Sequence, residues 1–346
     1  MKRIPTLDGW RGIAISLVLL GHLQFPLFGK PVAEWPQTAL HGVTIFFVLS
    51  GFLITSVLLE NRCNMRSFYV RRFFRLMPAA WTYLAAMVLW DGISGMHIIS
   101  GPAILACVFF YRNFAAIPSP MSLATGHFWS LSVEEQFYLI WPLLLLAAGA
   151  RHARWIAPTA AAACAIGVAL WRLKHELAWS NTLVRADALL IGCTLALLVR
   201  EEPARMAIKR LAAYCAVPAL ATFVYCMVKF EAYQPIAESV SIVILIAASI
   251  HYPQSVWFRW LDWKPLAGLG HISYSFYIWQ QFFMLFHGAI TPLLLCCIPL
   301  FAAGSYLYIE QPCIRLGHRL TANKFPAQND RNRKDNEFLI AVDVEH

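Results

Sequence analysis

His97-Ile98-Ile99-Ser100-Gly101-Pro102-Ala103-Ile104-Leu105-Ala106-Cys107-Val108-Phe109-Phe110-Tyr111-Arg112 is the apolar run on which the topology of this chain turns. At 16 residues it falls short of the roughly 20 that a helix needs to cross a bilayer. Ten longer apolar runs surround it, at 12–28, 39–60, 76–95, 130–149, 155–171, 183–200, 210–228, 236–253, 268–287 and 289–309. If 97–112 does not cross, both termini are cytoplasmic, with 22 Lys and Arg inside against 6 outside. If it does cross, the split is about 13 to 15, and the positive-inside tendency is lost. The sequence therefore predicts ten transmembrane helices, with 97–112 re-entrant or lying along the outer interface.

Composition sets the same class. Of 346 residues, 59% are hydrophobic and 14% charged, with a mean hydropathy of +0.56, whereas soluble domains carry about 25% charged residues. Trp35, Trp129, Trp155, Trp179, Trp257 and Trp260 near the ends of the runs fit interfacial belts. No alternating ten-residue strand pattern of a membrane barrel is present, so the expected fold is an all-α integral membrane protein. The nine cysteines show no metal-ligand spacing and read as small core residues. The net charge of +9 reflects cytoplasmic loops rather than nucleic-acid binding. Lys2-Arg3 before an apolar run lacks a small-residue cleavage site, which predicts a retained anchor helix. Residues 1–316 read as one transmembrane domain and 317–346 as a polar cytoplasmic tail, expected to be disordered.

Several polar groups are costly where they stand. Arg11 and His22 share the first run, about 16 Å apart along a helix. With Arg11 at the membrane edge, His22 lies near the midplane, where an ionisable ring is functional by default. Arg71, Arg72 and Arg75 precede the third run, and 71 and 75 share a face if helical. Such guanidinium forks suit phosphate, although anchoring to anionic lipid explains them equally. Ser50-Gly51 in the second run either permits close helix packing or leaves room for a ligand chain. His127, Ser130, Glu134 and Tyr138 form one helical stripe, with Ser132 and Glu135 beginning a second. A buried carboxylate beside an imidazole would orient and charge it. His41 and Asp187 lie at outer ends of their runs; each could face an acceptor, or be an interfacial histidine and a partner of Arg185. The run 270–281 is polar for a membrane helix and is expected to face a cavity, with His287 interfacial at its outer end.

In order, the blocks Leu7-Asp8-Gly9-Trp10-Arg11 with His22, Phe46-Phe47-Val48-Leu49-Ser50-Gly51-Phe52, Arg71-Arg72-Phe73-Phe74-Arg75-Leu76-Met77-Pro78, Phe128 to Tyr138, Asp187 to Gly192 and Ser273-Tyr274 resemble the membrane-bound acyltransferase 3 family. Two positions depart from it. Gln280 stands where members often have His and cannot exchange protons near neutral pH, and Gln311 stands where Arg is frequent. Some members carry an appended extracytoplasmic esterase-like domain; none is visible in these residues, so a second catalytic domain, where required, is expected to be another protein.

The resemblance implies a multi-pass protein of a bacterial inner membrane. It implies transfer of an acyl group, expected to be acetyl, from cytoplasmic acyl-CoA to a hydroxyl of an extracytoplasmic or lipid-linked carbohydrate. No bound cofactor or metal is implied; acyl-CoA is a co-substrate. On this reading Arg71, Arg72 and Arg75 hold donor phosphates, Arg11 helps, and the thioester arm passes Ser50 and Gly51. His22 is the general base or carries the acyl group transiently, with Glu134 orienting it and Glu135 or Tyr138 assisting. His41, His127, Trp129 and Asp187 are the candidate acceptor residues. A proton-coupled transporter or flippase of a glycan intermediate would also want a midplane histidine and carboxylates. It gives no reason for the arginine cluster, and no inverted repeat is evident.

Overall fold

A computed structural model describes residues 4–22, 26–27, 30–31, 38–60, 64–115, 117–118, 124–172, 182–229, 234–285 and 291–322. Trp35, Trp179, His287 and residues 323–346 of the expected tail lie outside the described residues. The helices are α1 (Pro5–His22), α2 (Thr38–Glu60), α3 (Met65–Ser94), α4 (Gly101–Val108), α5 (Phe128–Arg172), α6 (Thr182–Leu198), α7 (Glu202–Val228) and α8 (Gln234–His251). After a 3-10 turn (Arg259–Asp262) come α9 (Lys264–His271), α10 (Ser273–Met284), α11 (Thr291–Ser305), a π turn (Tyr306–Glu310) and α12 (Gln311–Ala322). Among the described residues the strands are the two-residue pair Pro26–Leu27 and Lys30–Pro31.

Among the described residues, four helices are long and apolar enough to span a membrane, at Thr38–Leu59, Met65–Ser94, Phe128–Cys164 and Glu202–Val228. Their positions in the bundle differ. The apolar window of α2 is 67% buried, that of α7 only 22%, so α2 is the central post and α7 a peripheral one. On α7, Leu211, Tyr214, Val217, Leu220, Val224 and Val228 are exposed at helical spacing. A stripe of that kind on an apolar helix of spanning length fits a face turned to hydrocarbon, as in a membrane protein.

The disputed run 97–112 folds as α4, eight residues and about 12 Å long, far less than a bilayer core of about 30 Å. Ser100 caps it, its Oγ accepting from Ala103 N at 3.3 Å, and Pro102 sits in the first turn, where its missing N–H costs nothing. Arg112 then turns inward. Its guanidinium donates to Thr125 Oγ1 (3.3 Å) and the Ala115 carbonyl (3.0 Å).

Other boundaries shift. The first helix begins at Pro5 rather than 12 and ends at His22, so this histidine closes α1 instead of lying within a run to 28. The expected runs 130–149 and 155–171 meet at a single residue, Gly149, whose φ of +69° breaks α5. A side chain there would be strained in that left-handed conformation. The ninth run is not one helix: α9 and α10 part at Ile272. The tenth continues through the π turn into α12, so residues 317–322 of the expected tail are helical.

Candidate active site

The three arginines lie on α3. Asn64 starts α3 by accepting from Arg66 N at 3.0 Å, which places Arg71, Arg72 and Arg75 in the second and third turns. From the facing helix, α5 presents Ser130, Glu134 and Tyr138 at intervals of four, one stripe along one side. The Arg72 guanidinium carbon lies over the Tyr138 ring, 3.4 Å from its centroid, and its Nε is 3.7 Å from Glu135 Oε1. Ser50 Oγ on α2 donates to Glu134 Oε1 at 2.7 Å. Arg11 on α1 faces the same space, braced by Asp8 at 3.4 Å; Asp8 in turn lies 3.6 Å from His271 Nε2.

These side chains surround one cavity of about 690 Å³, within the range of small-molecule sites. Arg11, Arg71, Arg72 and Arg75 line one end. Along α2 its wall runs from Val57 through Ser50 to Val43, fourteen residues and so about 21 Å. Between the ends the lining is largely apolar (Phe46, Phe47, Leu53, Ile54, Leu131), interrupted by Ser50 and Glu134. The far end holds Ser130 and Tyr277, whose hydroxyls bond each other at 2.6 Å and lie 3.2 and 3.0 Å from the His127 carbonyl. The His127 ring is boxed by Tyr83 and Tyr277, at 5.3 and 5.6 Å. Its two nitrogens are buried.

His22 is close enough to His127 for their charges to interact. Its Nδ1 is 2.7 Å from the Val18 carbonyl. A carbonyl only accepts, so the neutral ring carries its proton on Nδ1 and leaves Nε2 with a free lone pair.

This geometry corrects part of the expected site. Glu134 does not pair with His22: it belongs to the arginine side with Ser50, and the orienting partner of His22 is the Val18 carbonyl. Glu135 is held by Arg72 and is not part of the cavity wall. Gly51 does not line the cavity either. It faces α6, where a Cβ would overlap the Leu189 carbonyl, and Gly192 answers it against the Val48 carbonyl. Its smallness serves helix packing. Gly51→Val is therefore expected to destabilise the fold by more than the about 1–3 kcal/mol of ordinary overpacking, because the obstacle is backbone. Loss of the monodisperse peak on size exclusion would report it.

Three proposed acceptor residues are also placed elsewhere. His41 is buried, with Nδ1 3.0 Å from Glu238 Oε1. Asp187 accepts from Ser239 at 3.3 Å, and Arg185 donates to Thr44 Oγ1 at 2.6 Å. Together they form a separate buried polar cluster among α2, α6 and α8. Trp129 packs edge-on against Phe47, 6.3 Å between ring centroids.

One carboxylate at the site went unanticipated. Glu310 closes the π turn, is buried, accepts from Ser275 Oγ at 2.9 Å and lies within electrostatic reach of Arg75 and Arg11. A lone Glu ending an apolar run was the available signal, but it belongs to no stripe. Glu238, alone in the run 236–253, gave a similar signal for the second cluster.

YrhL of Bacillus subtilis (strain 168), whose name carries a provisional assignment as a peptidoglycan O-acetyltransferase, is 32% identical over 92% of this chain and 56% of its own length. The peptidoglycan O-acetyltransferase OatA of Listeria monocytogenes is 28% identical over 81% of this chain and 49% of its own. The O-acetyltransferase OatA of Staphylococcus aureus is 27% identical over 93% and 59%. The chain thus spans about half the length of these curated relatives. No solved structure matches it. The family model described as "Acyltransferase domain" matches residues 4–308, nearly the whole described bundle, and the chain belongs to the acyltransferase 3 family.

Proposed function

We propose that this protein is a bacterial membrane O-acetyltransferase. It takes acetyl from acetyl-CoA on the cytoplasmic side and delivers it to a hydroxyl of a cell-envelope glycan on the other. The observation that carries the reading is the elongated cavity with four arginines at one end and the hydroxyls of Ser130 and Tyr277, bonded to the His127 carbonyl, at the other. A phosphate-headed donor with a long, thin, largely apolar arm has that shape and that distribution of charge. The relatives' names supply the acceptor class, and peptidoglycan is its first candidate.

In the proposed reaction, His22 Nε2 removes the proton of the acceptor hydroxyl as its oxygen attacks the thioester carbonyl. The C–S bond breaks, the new ester forms, and the imidazolium returns the proton to the leaving sulfur. The Val18 carbonyl holds the tautomer this requires. His127, close enough to His22 for their charges to interact, is the nearest candidate to bind the acceptor. Glu134 and Ser50 position the arm midway, and the cationic end anchors the nucleotide. The topology that goes with this is ten spans with both termini cytoplasmic, supported by the 22-to-6 distribution of Lys and Arg.

The test is direct. Purified protein in nanodiscs, given acetyl-CoA labelled in the acetyl group and a soluble muropeptide or glycan oligomer, is expected to release CoA and yield an acceptor heavier by one acetyl group. Substrate flux across sealed vesicles without acyl transfer would instead make the protein a carrier.

A further inference from the structure

Helix α12 lies past the last residue matched by the family model, 308, yet it builds part of the cavity. Ile314, His318 and Thr321 line the arginine end, at intervals of four and three, so they form one face of α12. The opposite face, with Arg315, Leu316, Arg319 and Leu320, is exposed. Two contacts fix this helix against α3. Gly317 sits on Phe74, where a Cβ would come within 2.9 Å of the Phe74 Cβ. Arg71 Nε donates to Thr321 Oγ1 at 2.8 Å, a hydroxyl that itself reaches the Gly317 and His318 carbonyls at 3.0 Å.

The arginines are therefore not equivalent. Arg72 is committed to Tyr138 and Glu135, deeper in the site, and Arg75 faces the Glu310 carboxylate. Arg71, exposed like Arg75, is the one aimed by a hydroxyl of α12. Next to it on the cavity wall stand the exposed His318 imidazole and the polar Asn64 and Ser67. If the diphosphate occupies Arg72 and Arg75, this rim meets whatever lies beyond it on the donor: the ribose, its phosphate and the base.

We propose that α12 forms the nucleotide subsite, in which His318 and the Thr321-aimed Arg71 bind the ribose 3′-phosphate of the acyl-CoA donor. The inference rests on the acyl-CoA reading above and sharpens it: the C-terminal helix, outside the matched family region, makes this chain discriminate acetyl-CoA from its 3′-dephospho form. Both groups reach the phosphate from one side, and Thr321 makes the geometry of Arg71 independent of donor binding.

The experiment measures dissociation constants of the full-length protein in nanodiscs for acetyl-CoA and 3′-dephospho-acetyl-CoA. The wild type is expected to prefer acetyl-CoA by about ten-fold or more, the effect of a charge-assisted hydrogen bond. His318→Ala and Thr321→Val should each pull that ratio toward one by weakening acetyl-CoA alone, while Thr321→Ser, which keeps the hydroxyl, should preserve it. Thermal melting confirms that each variant is folded, and His318→Ala carries the test if Thr321→Val is not. A wild-type preference that survives both changes would overturn the subsite, as would a wild type indifferent to the 3′-phosphate. Equal displacement of both donors by phosphatidylglycerol vesicles, with no 3′-phosphate preference, would assign the rim to lipid headgroups and also overturn it. A wild type that binds neither donor would overturn the acyl-CoA reading itself, and the subsite with it.

Discussion

His22→Ala is expected to lower turnover by about 10²–10⁴-fold, the usual worth of a positioned general base, with acetyl-CoA affinity and thermal stability retained. The reason for the split is positional. His22 ends α1, and its only described bond is local, to the Val18 carbonyl four residues back. Its removal therefore costs one hydrogen bond, about 0.5–1.5 kcal/mol, and leaves the cavity wall intact. Stopped-time acetyl transfer alongside donor binding by calorimetry separates the two effects. Glu134→Gln is the informative companion. Bonded to Ser50 and facing Arg72, Glu134 should influence the donor KM and leave the pH profile of kcat/KM in place. A moved pH profile in that variant would restore the carboxylate–imidazole pair that the geometry denies. Near-normal turnover by His22→Ala would remove His22 from the chemistry.

The sequence made some of this legible and hid the rest, for reasons that can be named. The stripe Ser130–Glu134–Tyr138 and the pair Arg71–Arg75 follow from helical period alone, and both face the cavity. Residue types alone point to Glu134 as the partner of His22; the levels of the residues along their helices do not. Arg11 and His22 are eleven residues apart, and so are His127 and Tyr138. On two antiparallel helices that equality sets Arg11 against Tyr138 and His22 against His127, which are the pairs close enough to interact. A His22–Glu134 pair would need a slip of seven residues, about 10 Å. Ser50 and Gly51 are a different case. Neighbours on a helix point about 100° apart, so one meets α5 and the other α6, and nothing local says which. The inward Glu310 depends on a π turn, the insertion of one residue into an apolar rod, and the break at Ile272 on tertiary packing. Neither leaves a periodic signature.

Arg72→Ala should have the second large effect, and a companion variant decides what it means. A guanidinium bonded to a phosphate is worth about 1.5–3 kcal/mol, so the donor dissociation constant should rise about ten- to a hundred-fold. Arg72→Lys should recover little of this, since an ammonium has neither a planar face to set over Tyr138 nor a fork for two phosphate oxygens. Arg72 also neutralises Glu135, and the pair is mostly shielded, with side chains 21% and 14% exposed. Alanine would strand that carboxylate, a cost of about 2 kcal/mol, below the 3–5 of a fully buried pair. Loss of donor binding in the single variant could then be a folding effect. Glu135→Gln in the Arg72→Ala background removes the stranded charge and keeps the shape. The double variant is expected to melt close to the wild type and still bind acetyl-CoA weakly. If stability and affinity return together, Arg72 serves the fold, and the phosphates must be held by Arg11, Arg71 and Arg75 alone.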